Sequence, residues 1–359
     1  MAKMPCKMPQ DALASLGATR FSRGLRWLGM TANNIETTAL RLVCAVVCLV
    51  ALAMPAAAQN WPTKPVRVII PFPAGGTADT LGRIAIQKLS ETFGQQFVPE
   101  NKPGASGLIA LAEAAKASPD GYTLFVSSVG GLLIASALAS NPPADPVTGY
   151  THIAYFGGPP AVLVLNKEMP AKNLAEFVDY AKARPRAINY GSPTPGSHSN
   201  LIFMLFSRNA GISLTHVPYK GATYAVADLL GGHIAVTSTT LTTIAGQITG
   251  GLVRPIAISA ANRLPAFKEI PTYKELGYPE LVAETWFALS GPKGIPPAIV
   301  TRINAAVVKG LRDPDVRKRL EREAIDPQPF DPAAFTAFVR TENDKWGALA
   351  RAMLETEKK

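Results

Sequence analysis

The stretch at 66–89, VRVIIPFPAGGTADTLGRIAIQKL, reads as a buried strand, a rigid turn and the start of a helix. Val66, Val68, Ile69 and Ile70 form a near-continuous apolar run, the pattern of a parallel strand covered on both faces. Pro71 and Pro73 end it, because neither can donate to a sheet ladder. Gly75 and Gly76 permit positive φ and close backbone approach, and Thr77 is the expected N-cap. Ala78, Leu81, Ile84, Ala85 and Leu89 then recur at helical spacing. Free N–H groups at such a helix start, at the carboxyl edge of a sheet, suit an anion. The stretch lacks the Lys-Ser/Thr of a P-loop and the three-glycine spacing of a dinucleotide fingerprint.

The same unit recurs downstream. A loop over 101–107 leads to an Ala-rich helix, and Pro119-Asp120-Gly121 turns into an apolar strand over 122–126 that Ser127 and Ser128 close at the same edge. The strand expected over 187–190 opens into Gly191-Ser192-Pro193-Thr194-Pro195-Gly196-Ser197, and a helix follows. Further strands are expected over 161–165, 215–219, 234–238, 254–259 and 286–290, with a short helix over 242–248. Asn173 with Glu176 three residues on is a helix start, and Asp331 with Pro332 is another. Two amphipathic helices are expected to close the chain, with Trp346 in the core.

This alternation predicts an α/β protein of two lobes of typical domain size. Gly/Pro breaks at 156–161 and 259–264 mark expected crossings. The first lobe is then 59–158 plus 263–359, and the second is 159–262.

The N-terminus sets the compartment. Residues 41–58, RLVCAVVCLVALAMPAAA, carry a short apolar core behind a positive charge and end in small residues, as a secretory signal does. Cleavage is expected after Ala58, with Met30 an alternative start. The apolar run is too short for a membrane span. Cys6, Cys44 and Cys48, all the cysteines of the chain, precede the cut, so disulfides and thiol chemistry are excluded from the mature protein. Of the net charge of +10, six Lys/Arg and two Asp/Glu lie in residues 1–58, which leaves 30 basic against 24 acidic side chains, or +6. Without a basic run, nucleic-acid binding is not expected.

The chemistry on offer favours binding. His152, His198, His216 and His233 make no metal-type spacing, so no metal or other cofactor is expected. GSPTPGS is not the GxSxG elbow, so a hydrolase using Ser192 or Ser197 is the reading the residues support least. Hydroxyls and backbone N–H groups from several strand ends instead suit reversible capture of a small acid.

These residues resemble a known family. Pro71-Phe72-Pro73-Ala74-Gly75-Gly76-Thr77-Ala78-Asp79, Asn101-Lys102-Pro103-Gly104-Ala105, the run at 118–124, Val217-Pro218-Tyr219-Lys220-Gly221, Asp228-Leu229-Leu230-Gly231-Gly232 and Ile270-Pro271-Thr272 with Glu275-Leu276-Gly277 are similar to the solute-binding proteins of tripartite tricarboxylate transporters, the Bug or TctC family. The resemblance implies a periplasmic-binding-protein type II-like fold, two α/β lobes with a ligand cleft between them, in a non-enzymatic, monomeric periplasmic protein that traps a small carboxylate and docks on a membrane permease, or presents its ligand to a sensor protein. It implies ligand contacts from Phe72, Ala74, Gly75, Gly76 and Asp79 in the first lobe, with Ser127, Ser128 and Gly158. In the second lobe it implies Ser192, Thr194, Gly196, Ser197, Tyr219 and Thr239. The family loop resembles GSxGxGSxxHL, from which Thr194 and Asn200 depart, and Thr239 stands where an Asp is common. With no such carboxylate to meet an ammonium group, an amino-acid ligand is disfavoured. No arginine falls in these loops, so Arg67 and Arg83 are expected to contribute little to anion binding.

Overall fold

The computed structural model describes residues 61–357. The expected leader and cleavage site and the three cysteines lie outside the described residues. Among the described residues, no helix is long and apolar enough to cross a membrane.

Within these residues, ten strands form two five-stranded sheets. The first has the order β2-β1-β3-β10-β4 and the second β7-β6-β8-β5-β9. β1 (Val66–Ile70) lies inside the first sheet, parallel to β2 (Phe97–Asn101) and β3 (Thr123–Ser128), with Val68 opposite both Pro99 and Leu124. Four of its five residues are buried, which is why its apolar run is nearly continuous. Helix α1 (Thr77–Phe93) lays Leu81, Ile84 and Leu89 on that sheet, and Gly94 in the left-handed region ends it. The helix starts one residue before the expected core of the turn. Gly76 is the N-cap, in extended geometry at φ −84°, and only Gly75, at φ +81°, needs glycine's freedom. Thr77 is released from capping because its hydroxyl bonds elsewhere.

After helix α2 (Leu108–Lys116) and β3, a π-helical turn runs over Val129–Ile134. β4 (Tyr150–Gly157) closes the edge of the first sheet, and the chain crosses to β5 (Ala161–Asn166), the antiparallel partner of both β8 (Val236–Thr240) and β9 (Val253–Ile258). Helix α3 (Leu174–Lys182) begins as read: Asn173 Oδ1 accepts from the Glu176 N–H, and Glu176 Oε2 accepts from the Lys172 N–H. β6 (Asn189–Ser192), α4 (His198–Ala210), β7 (Thr215–Pro218), α5 (Ala222–Leu230) and α6 (Leu241–Thr249) complete the second lobe.

The segment after Asn262 stays with the second sheet. Phe267 and Ile270 pack in one cluster with Val162 and Val164, and Tyr273 stacks near Phe206. The chain pairs with the first sheet again only at β10 (Phe287–Pro292), which lies antiparallel between β3 and β4. This is later than the expected boundary at 263. The tail divides more than the two helices expected. Asp313 caps a second start with Pro314 behind it, which separates α7 (Pro297–Leu311) from α8 (Pro314–Arg322). Helix α9 (Pro332–Glu342) passes through a π-helical turn into α10 (Ala348–Glu357). One carboxylate oxygen of Glu342 accepts from both Trp286 Nε1 and Trp346 Nε1 at 2.9 Å, which clasps this tail to the start of β10. Trp346 is 3% exposed and belongs to the core, as expected.

Candidate functional site

Strand ends and helix starts from both lobes meet around one cavity of about 80 Å³. Its wall carries Gly76, Thr77 and Ala78 from the start of α1, Ser197, His198 and Ser199 from the start of α4, Ala222 and Thr223 from α5, and Thr240 and Thr243 from α6. Four helices therefore begin on it. Each N-terminus presents unpaired backbone N–H groups and the positive end of the helix dipole. No side-chain cap occupies the starts of α1, α5 or α6. No lysine, arginine, aspartate or glutamate lines the cavity. Its electrostatics therefore come from backbone, and they favour an anion.

The lobes touch across the cleft. Thr77 Oγ1 on the first lobe lies 2.7 Å from Thr240 Oγ1 and 3.3 Å from Thr243 Oγ1 on the second, and these two lie 2.9 Å apart. Gly221 packs so closely on Pro73 that a Cβ there would fall 2.5 Å from the proline ring. Three hydroxyls and a glycine–proline contact thus bridge the cleft here, and Gly196 against Ala135 and His198 against Trp346 join the lobes elsewhere.

Of the residues anticipated from sequence, Phe72, Gly76, Ser128, Thr194, Ser197 and Thr239 line the cavity. The others stand behind or beside it. Asp79 is 5% exposed and turns away, accepting from the Gly75 N–H (3.0 Å), Arg83 Nε (2.8 Å) and Asn101 Nδ2 (3.0 Å). Burial alone would raise its pKa, but the hydrogen bonds from Arg83, Asn101 and Gly75 together hold the carboxyl below the usual aspartate range. It thus fixes the 71–76 loop, leaves Gly75 N–H spent and points no charge at the cavity. Ala74 is carried by the same loop. Arg83 is engaged with Asp79, and Arg67 with Glu100 and Glu113, both off the cavity.

Ser127 is buried in the sheet, where its hydroxyl pairs with Ser290 Oγ at 2.8 Å. Ser192 Oγ meets His216 Nε2 at 2.6 Å, between β6 and the edge strand β7 and off the cavity lining. Tyr219 donates to Asp228 Oδ2 at 2.5 Å, beside a neighbouring opening that Phe72, Thr194 and Lys220 also line. Gly196 abuts Ala135, and Gly158 lies against the Thr285 carbonyl at the crossing between sheets. Residues outside the expected set of ligand contacts also reach the wall: Pro73, Thr77, His198, Gly221, Thr223, Thr240, Thr243, Thr285 and Phe287. The Thr240 and Thr243 hydroxyls were reachable in principle, since a strand end followed by Thr at a helix start repeats the pattern of 66–89.

Two of the histidines, His152 and His198, are buried. His152 bonds the Val147 carbonyl and Ser290, and burial pushes its pKa down to about 4. His198 is 3% exposed with neither ring nitrogen hydrogen-bonded and stands edge-on to Trp346. Burial, aided by Lys345, pushes it down to about 3. A histidine whose folded pKa lies below its unfolded value near 6.5 contributes stability that is intact above that value and is lost as pH falls toward the folded one. Unfolding free energy is therefore expected to decline as pH drops from 7 to 4, and His198→Gln is expected to decline less steeply. Urea melts at several pH values read this out; parallel curves for the two proteins would contradict it.

Known proteins share this architecture. The family profile described as "Tripartite tricarboxylate transporter family receptor" matches residues 81–354. BugT of Bordetella pertussis is 31% identical over 316 residues, spanning 88% of this chain and 97% of the relative. Among solved structures, an R. palustris protein with adipate superposes with a TM-score of 0.78 at 32% identity, covering 81% of this chain and 98% of that one. MatC from Rhodopseudomonas palustris with bound malate gives 0.77 at 31% identity, covering 81% and 100%.

Proposed function

This chain belongs to the tripartite tricarboxylate transporter receptor family, and from that premise we propose that it captures a small carboxylate in the periplasm and delivers it to a membrane permease of that transporter class. The observation that carries the reading is the convergence of four helix N-termini on a cavity lined by hydroxyls and free of charged side chains. A carboxylate there meets backbone N–H groups, with hydroxyls to orient it and waters to bridge the remainder. No catalytic set is needed, and relatives of this family are solute-binding proteins.

Delivery requires that the trap open. The crossings on either side of β5 and before β10 are the hinge in this reading, with the bulk of 61–157 and 287–357 rotating against the second lobe. The Thr77, Thr240 and Thr243 contacts break on opening and re-form on capture.

A thermal-shift screen of the mature protein against a carboxylate library tests the proposal. A ligand present at 100 times its dissociation constant stabilises the bound state by about 2.7 kcal/mol. At least one carboxylate is expected to reach that shift; a library in which only amines or neutral sugars do so would contradict it.

A further inference from the structure

Helix α4 starts on the cleft cavity and runs past a second pocket, of about 270 Å³, that shares no lining residue with it. This pocket lies wholly in the second lobe, between α4, β6 and β7. The sheet itself brings aromatic rings to it. Tyr190 on β6 is paired with His216 on β7, so both side chains leave the same face, and Phe203 on α4 stacks on Tyr190 with ring centroids 3.6 Å apart. Met204 and Leu214 add apolar surface. Asn200 holds the wall in shape, accepting from Tyr190 Oη at 3.3 Å and donating to the Pro195 carbonyl at 2.8 Å. β7 is the edge strand of its sheet, so no further strand covers this side.

Two polar groups of the pocket are unengaged. The Ser207 hydroxyl oxygen is buried and makes no hydrogen bond. Among the described residues, the exposed Arg208 guanidinium has neither an ion pair nor a hydrogen bond. A buried donor without an acceptor carries a desolvation penalty that a bound acceptor removes. A guanidinium matches the planar, two-oxygen shape of a carboxylate. Both groups therefore ask for the same ligand group. Size and lining supply the rest: the volume is nearly twice the roughly 150 Å³ that takes a benzene ring, and ring-lined walls favour a flat apolar body.

We propose that this pocket is a second ligand site, separate from the cleft, that takes an aryl carboxylate, its ring against Tyr190, Phe203 and Met204 and its carboxylate shared between Arg208 and the Ser207 hydroxyl. The site goes beyond the carboxylate reading of the cleft and does not depend on it.

Amide-resolved NMR titration of the mature protein with benzoate tests it, with benzamide as the ring without the charge and acetate as the charge without the ring. Benzoate is expected to shift the amides of 207–208 and 213–216. Arg208→Gln is expected to weaken benzoate at least about fivefold and Ser207→Ala about threefold. The preference for benzoate over benzamide is expected to fall to near one in Arg208→Gln, since the charge it reads is then gone. Acetate is expected to leave these amides in place at the concentration that half-saturates benzoate. Shifts confined to 76–78, 197–199 and 222–223 place the acid in the cleft; they overturn the second site and support the carboxylate reading there. Absence of any shift, equal binding of benzamide or acetate by the wild type, or unchanged affinity in either variant also overturns it. An unaltered amide spectrum of each unliganded variant away from residues 207–208 establishes that lost affinity is lost contact.

Discussion

Gly221→Val is expected to lower affinity for the protein's carboxylate by more than about a hundredfold, near 2.8 kcal/mol, while leaving the fold intact. The reason is geometric. In the shut cleft a Cβ at Gly221 would lie 2.5 and 2.7 Å from Pro73 Cγ and Cδ, on the opposite lobe. Neither atom belongs to a long flexible side chain that can swing aside, because the proline ring is tied to the 71–76 loop that Asp79 anchors. The valine is accommodated only if the lobes stand apart, and then the helix starts no longer surround the anion. With the lobes apart there is no such clash. Its melting temperature is therefore expected to change little, whereas calorimetric titration shows the loss. Wild-type affinity in Gly221→Val would mean that capture does not require the Pro73–Gly221 contact.

Gly158→Ala should act in the opposite manner, on stability. The missing Cβ would stand 2.3 Å from the Thr285 carbonyl oxygen and 2.7 Å from its carbon, so the obstacle is backbone of the second crossing segment. That strand entry is pinned by the pairing of Phe287 with Gly157 and by the bridge between Pro160 and Glu284. Neither crossing can shift without disturbing β10, and overpacking of this kind costs about 3 kcal/mol. Chemical denaturation is expected to show that loss. An alanine variant as stable as wild type would show that the two crossings are not in fixed contact.

The fold was legible where one period dominated. The apolar run of β1, the 3.6-residue pattern of α1 and the Asn173 and Asp331 caps are local signals, and the structure has each of them. The division of the tail at Pro314 turned on a single Asp-Pro pair, and the late return to the first sheet depends on Phe267 and Ile270 choosing the second lobe's cluster. No spacing along the chain announces that choice.

At the site, the loops were legible and the directions of their side chains were not. Ser127 and Ser128 are adjacent on β3, so they face opposite sides, and only Ser128 reaches the cavity. Asp79 sits in the right helical turn yet faces its own loop, because Arg83 one turn on and Asn101 at the end of β2 draw it there. The Thr77–Thr240–Thr243 cluster joins residues more than 160 positions apart. It exists only because the two lobes close on each other.

A ligand held as an anion by helix N-termini, in a cavity without a cationic side chain, owes its affinity to its charge. Calorimetric titration of the strongest-binding acid from the screen, beside its primary amide of nearly equal shape, tests this most directly. The acid is expected to bind at least about a hundredfold tighter than the amide, because the oriented N–H groups gain most from a full negative charge. Equal affinity for acid and amide would contradict the account.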